Sequence, residues 1–340
     1  MRQIKKTYKR GILKKLFIKL CRLFGYELID QADMSFVTSE NLKNPSKSGK
    51  KSITLPLGEV KITRKVQNFD IILKTCTSVN LVSQNKKRIF EQPKSEYTMR
   101  TINSLIKSIK KASKDKSNIS FNITIIDAGS PKEDMAIIER LLKNSKLKFN
   151  IIYLNLNEYL KRIKIIKRNN YQIENNMKST MASIIKSFEL AKDLDDLVYF
   201  VEDDYIHDDE SISEMISAYE KFSTILKDEI FIVPVDYPYL YQKNQSTNVL
   251  IGQKNHWRSV NESLLTFMTS KEMINKYYSD LIKMGEIEYE PYETILHSIY
   301  DKENCFSPIP SLALHCTNVN SVFGLSPNIN AKDLWEKNKN

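Results

Sequence analysis

The stretch LVYFVEDDY, residues 197–205, decides how the rest of the sequence is interpreted. An apolar run followed by Glu202, Asp203 and Asp204 is typical of a buried strand that delivers three carboxylates to one loop. Carboxylates repel one another, so the cluster is costly unless a cation or solvent relieves the repulsion. Two interpretations are open: a site for Mg²⁺ or Mn²⁺, which prefer oxygen ligands, or an exposed acidic turn that caps the next helix.

The segments around this stretch alternate between apolar runs of strand length and amphipathic runs of helix length. Strands are predicted at residues 69–73, 123–126, 149–154 and 197–201, and helices at residues 95–111, 133–143 and 177–192. This alternation predicts an α/β fold with a mostly parallel, twisted sheet and helices on both faces. Ligands bind beyond the carboxyl ends of the strands in such sheets, so the acidic loop falls where a site is expected.

A second carboxylate, Asp127, closes the strand predicted at residues 123–126 and precedes a Gly129-Ser130-Pro131 turn into a helix. It falls at the same edge of the predicted sheet as the acidic loop. A carboxylate in that position can accept hydrogen bonds from a nucleotide base or a ribose. The alternative is an ordinary helix N-terminus with Ser130 in a capping box.

The order of five segments along the chain adds to these observations. They are, in sequence, FDIILKTCTS, YTMRTINSLIKSI, ITIIDAGSPKED, NNMKSTMASIIKSFELA and LVYFVEDDY. This series resembles the GT-A glycosyltransferases of the family-2 type, closely over residues 69–205 and more loosely over residues 230–325. The Glu-Asp-Asp triplet is similar to the DXD-type metal motif of some N-acetylglucosaminyltransferases.

The resemblance implies a GT-A (Rossmann-like) fold and an inverting, metal-dependent glycosyl transfer. A sugar would move from a nucleotide-diphosphate sugar to a glycan or lipid-linked acceptor in cell-surface polysaccharide or glycoconjugate synthesis, with Mn²⁺ or Mg²⁺ as cofactor. Two other classes stay open. One is a non-catalytic scaffold that keeps the fold only to bind ligands, and the other is a metal-dependent nucleotidyltransferase or nuclease.

Donor-side roles also follow from the resemblance. They are base contact for Thr75 and Asp127, contact with the metal's water shell for Glu202, ribose contact for Asp203 and direct metal binding for Asp204. The family carries a proline before the threonine, whereas Lys74 stands there in this chain.

The candidates for the catalytic base are Glu290 and Glu293 in the segment EYEPYE, residues 288–293, which precedes a predicted helix. The family carries an acidic pair at a comparable position, and one of its carboxylates is the general base. Such a base removes the proton of the acceptor hydroxyl as that hydroxyl attacks the anomeric carbon. The choice between the two is open, as is the alternative that both only interact with the positive end of the helix.

Two further residues complete the predicted site. His315 ends an apolar strand, and the resemblance implies that it joins the metal or the diphosphate; otherwise it is structural. Arg258 lies in a compact polar and aromatic group. It either holds a phosphate through its two-pronged guanidinium or pairs with Glu262.

The formal charge of +11 is concentrated at the N-terminus. Nine of the 52 basic residues and none of the 41 acidic residues lie in residues 1–26, which leaves 43 basic residues against 41 acidic ones. The nearly neutral remainder disfavours nucleic acid as a partner. Residues 3–25 are predicted as a basic amphipathic helix that ends near Gly25, and such a helix either lies on an anionic membrane surface or docks on protein.

The sequence predicts four parts. They are the helix at residues 1–27, a linker or embellishment at 28–66, the glycosyltransferase domain at 67–328 and a C-terminal tail at 329–340. Within the domain, residues 67–205 would form the nucleotide-sugar half and residues 206–328 the acceptor half. No apolar run approaches the roughly 20 residues of a membrane-spanning helix. The expected location is cytoplasmic, with peripheral contact at the inner face of the membrane.

Overall fold

A computed structural model describes residues 12–25, 61–78, 88–166, 171–242, 247–289, 291–316 and 325–339. The chain divides into two compact units. The first comprises Met1–Lys65 and Glu220–Asp228, and the second comprises Val66–Tyr219 and Glu229–Asn340. The residues of the candidate site all belong to the second unit.

In the first unit, helix α1 spans Ile12–Leu23. The part of the predicted helix before residue 12 lies outside the described residues, as does most of the predicted linker at 28–66. Large apolar side chains recur along α1 at helical spacing and are 52–83% exposed: Leu13, Leu16, Phe17, Leu20 and Leu23. Across the described ranges, every helix is too short or too polar to cross a bilayer.

The second unit is built on a nine-stranded sheet with the order β3-β2-β1-β4-β9-β6-β10-β8-β7, while β5 and β11 form a separate two-stranded sheet. The strands are β1 Asn68–Thr75, β2 Ser120–Asp127, β3 Lys148–Tyr153, β4 Leu197–Glu202, β5 Tyr205–His207, β6 Phe231–Ile232, β7 Val249–Ile251, β8 His256–Ser259, β9 Phe267–Ser270, β10 Cys305–Ile309 and β11 Ala313–His315. In the large sheet only β8 and β9 run opposite to the rest. The predicted α/β fold with a mostly parallel sheet is confirmed.

Helices connect these strands and flank the sheet. They are α2 Lys94–Asp115, α3 Lys132–Ser145, α4 Tyr171–Ala191, α5 Ser211–Leu226, α6 Lys271–Lys276, α7 Tyr278–Leu281, α8 Lys283–Glu286, α9 Thr294–Tyr300 and α10 Ala331–Lys337. The three helices predicted from periodicity correspond to α2, α3 and α4. Helix α8 packs closely against α4. A β-carbon added to Gly285 would lie only 2.7 Å from the backbone oxygen of Met181. A glycine at position 285 therefore permits this close packing of the two helices.

Strand register brings the sequence motifs together. Strand β1 is parallel to both of its neighbours, and it pairs Thr75 with Asp127 on β2 and Lys74 with Glu202 on β4. The carboxyl ends of the three strands therefore meet at one edge of the sheet. In the small sheet, Tyr205 pairs with His315, which places that histidine beside the end of the acidic loop.

The segment interpreted as a C-terminal tail forms helix α10, which packs into the second unit. Leu334 and Trp335 are buried in a cluster with Tyr97 of α2. The Trp335 ring also stacks on Phe90 at a centroid distance of 4.2 Å, and the Arg100 guanidinium lies 4.1 Å from its centroid. Burial of these large apolar side chains stabilises the helix, although the segment is too short to show a clear period.

Candidate active site

A cavity of about 270 Å³ opens at the carboxyl ends of β1 and β4. Six of the residues predicted for the site line it: Thr75, Glu202, Asp203, Asp204, Glu293 and His315. Lys74, Arg88, Lys94 and a polar face of α4 complete much of the wall. Parts of the chain separated by more than 200 residues therefore meet in one small volume.

Asp127 organises the turn next to this cavity. Thr75 Oγ1 donates a hydrogen bond to its Oδ1 at 3.0 Å. The backbone N–H groups of Gly129 and Ser130 donate to its Oδ2 at 3.1 and 3.0 Å. Asp127 lines an open cleft of about 490 Å³ together with Tyr153, instead of the 270 Å³ cavity. Its carboxylate thus couples the ends of β1 and β2.

Asp203 is held by three donors. Lys94 Nζ lies 2.5 Å from its Oδ1. Thr98 Oγ1 and the backbone N–H of Cys76 donate to its Oδ2 at 2.9 and 3.2 Å. Because Lys94 and Thr98 lie in the first turns of α2, the helix and the acidic loop are locked together.

Asp204 lies between two cations and a histidine. Arg88 Nη1 donates to its Oδ2 at 3.0 Å, and Lys94 Nζ lies 3.9 Å from the same oxygen. His315 Nε2 lies 3.7 Å from Oδ1. Burial opposes ionisation, but the fields of Lys94, His315 and Arg88 together lower the pKa of Asp204 well below its ordinary value. This carboxylate is therefore ionised at neutral pH.

The ring of His315 is fixed by stacking on Tyr205, with centroids 4.4 Å apart and planes inclined by 9°. Tyr205 is fixed in turn by a hydrogen bond of 2.7 Å between its hydroxyl and that of Tyr237. Tyr205 and Tyr237 thus form a buried support for the site. The support directs His315 Nε2 toward Asp204.

Glu293 precedes α9 and lines the same cavity. Burial, and then repulsion from Glu202, raise the pKa of Glu293 to about 7, although Lys74 partly offsets the rise. The Lys74 ammonium is itself paired with Glu202 at 3.6 Å. The second candidate base, Glu290, lies outside the described residues.

Arg258 is not brought to the cavity. Its Nε and Nη2 donate to Oδ1 of the buried Asp236 at 3.1 and 2.6 Å. Its guanidinium also lies 4.2 Å from the ring centroid of Tyr241. Arg258 therefore has a buried carboxylate partner 22 positions upstream. This placement does not support the predicted contact of Arg258 with phosphate.

Two cations that contact the acidic loop, Arg88 and Lys94, were not predicted from the sequence. Lys94 could have been singled out from the sequence, because it stands directly after Pro93 at the start of a long helix. The helix dipole disfavours a cation at that end. The second missed feature is a stripe of small polar residues on α4 that faces the cavity: Asn176, Ser179, Thr180 and Ser183. Its spacing of three and four residues was visible beside the apolar stripe of the same helix.

The donor set suits a metal that protein and substrate would hold together. Within the described ranges, no group of three or more histidine, cysteine, aspartate or glutamate side chains is arranged to hold a metal ion. Two donors, Asp204 Oδ1 and His315 Nε2, do face each other across 3.7 Å. Mg²⁺ typically takes one or two carboxylates and completes its shell with phosphate oxygens and water. The residues present fit that arrangement.

No protein-family model matches the sequence, and none of the curated proteins compared with it is similar. Solved structures show distant likenesses. TarS 1-349 of S. aureus is 12% identical with a TM-score of 0.35, over 62% of this chain and 49% of that chain, so this chain spans about half its length. The galactosyltransferase LgtC, in complex with donor and acceptor sugar analogs, is 12% identical with a TM-score of 0.36, over 68% and 70%. The mannosyltransferase Ktr4p from S. cerevisiae is 11% identical with a TM-score of 0.24, over 91% and 64%. The reaction is left to be inferred from the chain's own residues.

Proposed function

We propose that the protein is an inverting, metal-dependent glycosyltransferase that uses a nucleotide-diphosphate sugar. One observation carries the proposal. A single cavity at the strand ends joins an ionised Asp204, a facing His315 and a glutamate with a pKa of about 7. The order of motifs that resembles family-2 GT-A enzymes supports it. A glycan or lipid-linked acceptor, in cell-surface glycoconjugate synthesis, belongs to the same proposal.

The charges of the cavity support a diphosphate that binds with a divalent cation. Three basic side chains and four acidic ones line the cavity: Lys74, Arg88 and Lys94, and Glu202, Asp203, Asp204 and Glu293. These basic side chains do not outnumber the acidic ones, so a diphosphate alone would add negative charge that the lining does not neutralise. A bound Mn²⁺ or Mg²⁺ would offset that charge and the charge that develops on the leaving diphosphate.

Glu293 is the base in this proposal. It lies in the cavity with the donor-side carboxylates, and a pKa near 7 allows it to accept a proton at neutral pH. Its carboxylate would take the proton of the acceptor hydroxyl as that oxygen attacks the anomeric carbon from the face opposite the diphosphate. Inversion at the anomeric carbon follows from this direct displacement.

A thermal-shift screen against nucleotide-sugars, with and without Mn²⁺, tests the proposal. We expect one nucleotide-sugar to raise the melting temperature, and to raise it more with Mn²⁺, because a metal held by Asp204 would offset the negative charge of the donor's diphosphate. Binding without sugar transfer or donor hydrolysis would favour the scaffold alternative. Transfer of a nucleotidyl group, or salt-sensitive binding of DNA or RNA, would favour the nucleotidyltransferase or nuclease alternative.

Association with the inner face of a membrane is also part of the proposal. The apolar side chains exposed on α1 recur on a segment whose sequence is strongly basic, a combination that favours anionic lipid surfaces. Replacing Leu16 and Phe17 of the whole chain by glutamate should weaken binding to phosphatidylserine-containing vesicles by about tenfold or more, because two exposed apolar side chains that would be buried in the lipid are lost. Co-sedimentation measures the change.

The matched control replaces Ser117 and Asn118, two exposed residues of a turn, by glutamate and alters the net charge equally. It should bind the vesicles nearly as well as the unmodified protein. Donor binding should survive in both variants. Unchanged vesicle binding after substitution of Leu16 and Phe17 would instead assign α1 to a protein surface.

A further inference from the structure

Arg88 and Lys94 are buried cations on the carboxylates that the proposed function assigns to donor and metal. Each is about 9% exposed, and both line the 270 Å³ cavity. Arg88 contacts Asp204, while Lys94 contacts Asp203 and lies 3.9 Å from Asp204. These two side chains therefore occupy the positions next to Asp204 where positive charge offsets the carboxylate.

Arg88 has donor capacity that its present contacts do not use. Nη1 is shared between Asp204 Oδ2 and the backbone oxygen of Cys316, at 3.0 and 3.4 Å. Nε is buried and, among the described residues, has no hydrogen-bond partner. A buried N–H without an acceptor is costly, so an acceptor that enters the cavity would be favoured there. The planar guanidinium suits two oxygens of one phosphate group.

Lys94 lies where the fold favours an anion. It is the first residue of the 22-residue helix α2, and its ammonium is buried beside the positive end of that helix. The ion pair with Asp203 offsets the cost of burying the ammonium there. Asp203 also accepts hydrogen bonds from Thr98 and from the backbone N–H of Cys76. The carboxylate would thus remain bonded if the ammonium turned to another anion.

We propose that Arg88 and Lys94 are an exchangeable cation pair that binds the donor's diphosphate. Without donor, they neutralise Asp204 and Asp203. When donor and metal arrive, the two side chains turn to the diphosphate oxygens, and Asp204 Oδ2 is released. The inference rests on the proposed function, since it takes the ligand to be a diphosphate. No covalent step is involved, because each side chain only exchanges a carboxylate oxygen for a diphosphate oxygen.

The proposal predicts opposite effects of one substitution on two ligands. Arg88→Met should weaken binding of inorganic pyrophosphate in the presence of Mg²⁺ by about 10- to 100-fold, because a charge-assisted contact is lost. The same variant should bind Mn²⁺ alone roughly fivefold more tightly or better, because a positive charge no longer lies beside Asp204. Isothermal titration calorimetry measures both constants on the full-length protein.

Two further variants keep the test decisive. Lys94→Met should weaken pyrophosphate binding by about tenfold. This variant should fold even if Arg88→Met does not, because Thr98 and the backbone of Cys76 still donate hydrogen bonds to Asp203. Arg162→Met is the matched control, because Arg162 pairs with Glu189 outside the cavity. It should change neither constant.

Equal losses of pyrophosphate and Mn²⁺ affinity in Arg88→Met would mean a purely structural role and would overturn the proposal. Unchanged pyrophosphate binding in both cavity variants, or no pyrophosphate binding by the unmodified protein, would overturn it too. A different outcome would contradict the proposed function alone. The unmodified protein would then bind pyrophosphate in an Arg88-dependent way but would bind no nucleotide-sugar.

Discussion

Asp204→Asn should reduce sugar transfer and donor hydrolysis by about 100- to 1,000-fold, since loss of a metal-binding charge removes several kcal/mol of transition-state stabilisation. The amide keeps the shape of the carboxylate but lacks its charge. The oxygen that faces His315 Nε2 across 3.7 Å would then be a weak ligand. Steady-state assays at saturating Mn²⁺, with the nucleotide-sugar found in the thermal-shift screen, measure the effect.

The same substitution also removes a buried counter-charge. Arg88 would lose its ion pair at 3.0 Å, and a broken buried pair typically costs about 3–5 kcal/mol of folding free energy. Thermal unfolding must therefore accompany the assay, which is run well below the variant's melting temperature. Asp280→Asn, which alters a surface pair with Lys283, is the control and should retain full activity. Substantial activity in folded Asp204→Asn would contradict metal binding by this carboxylate.

The parallel half of the sheet could be predicted from sequence because its signals are local. Runs of apolar residues marked β1 to β4, and helical spacing marked α2 to α4, with the largest error at α4, which begins at Tyr171, six residues before its predicted start. Placing acidic motifs at strand ends required only that neighbouring parallel strands end at one edge. The pairing of Thr75 with Asp127 is a direct consequence of that geometry.

The cations of the site could not be predicted in the same way, because their partners are distant in sequence. Arg88 pairs with a carboxylate 116 positions downstream, and nothing in the residues around it signals that contact. Arg258 shows the converse problem. One predicted partner was Glu262, only four residues away, whereas the structure pairs Arg258 with Asp236 across the fold. Local spacing predicts which residues share an element, but it does not predict which elements meet.

Glu293→Gln should lower the rate of transfer by about 100- to 10,000-fold, the usual contribution of a general base, while the donor still binds. The amide cannot accept the hydroxyl proton, but it preserves the volume of the side chain that precedes α9. Single-turnover transfer and calorimetric donor binding separate the two effects. Equal losses of binding and rate would assign Glu293 to the donor site instead of to proton transfer.

The pH dependence distinguishes a base from a structural glutamate. A base must be deprotonated, so kcat/KM should rise as the pH passes about 7, the pKa of Glu293 in the free protein. Repulsion from Glu202 raises that pKa, so Glu202→Gln should move the midpoint of the rise to lower pH. Lys74 lowers the pKa, so Lys74→Met should move the midpoint to higher pH. Both substitutions will also change the height of the profile, because both residues line the cavity. Opposite displacements of the midpoint would identify Glu293 as the titrating group, and a midpoint that neither substitution moves would exclude it.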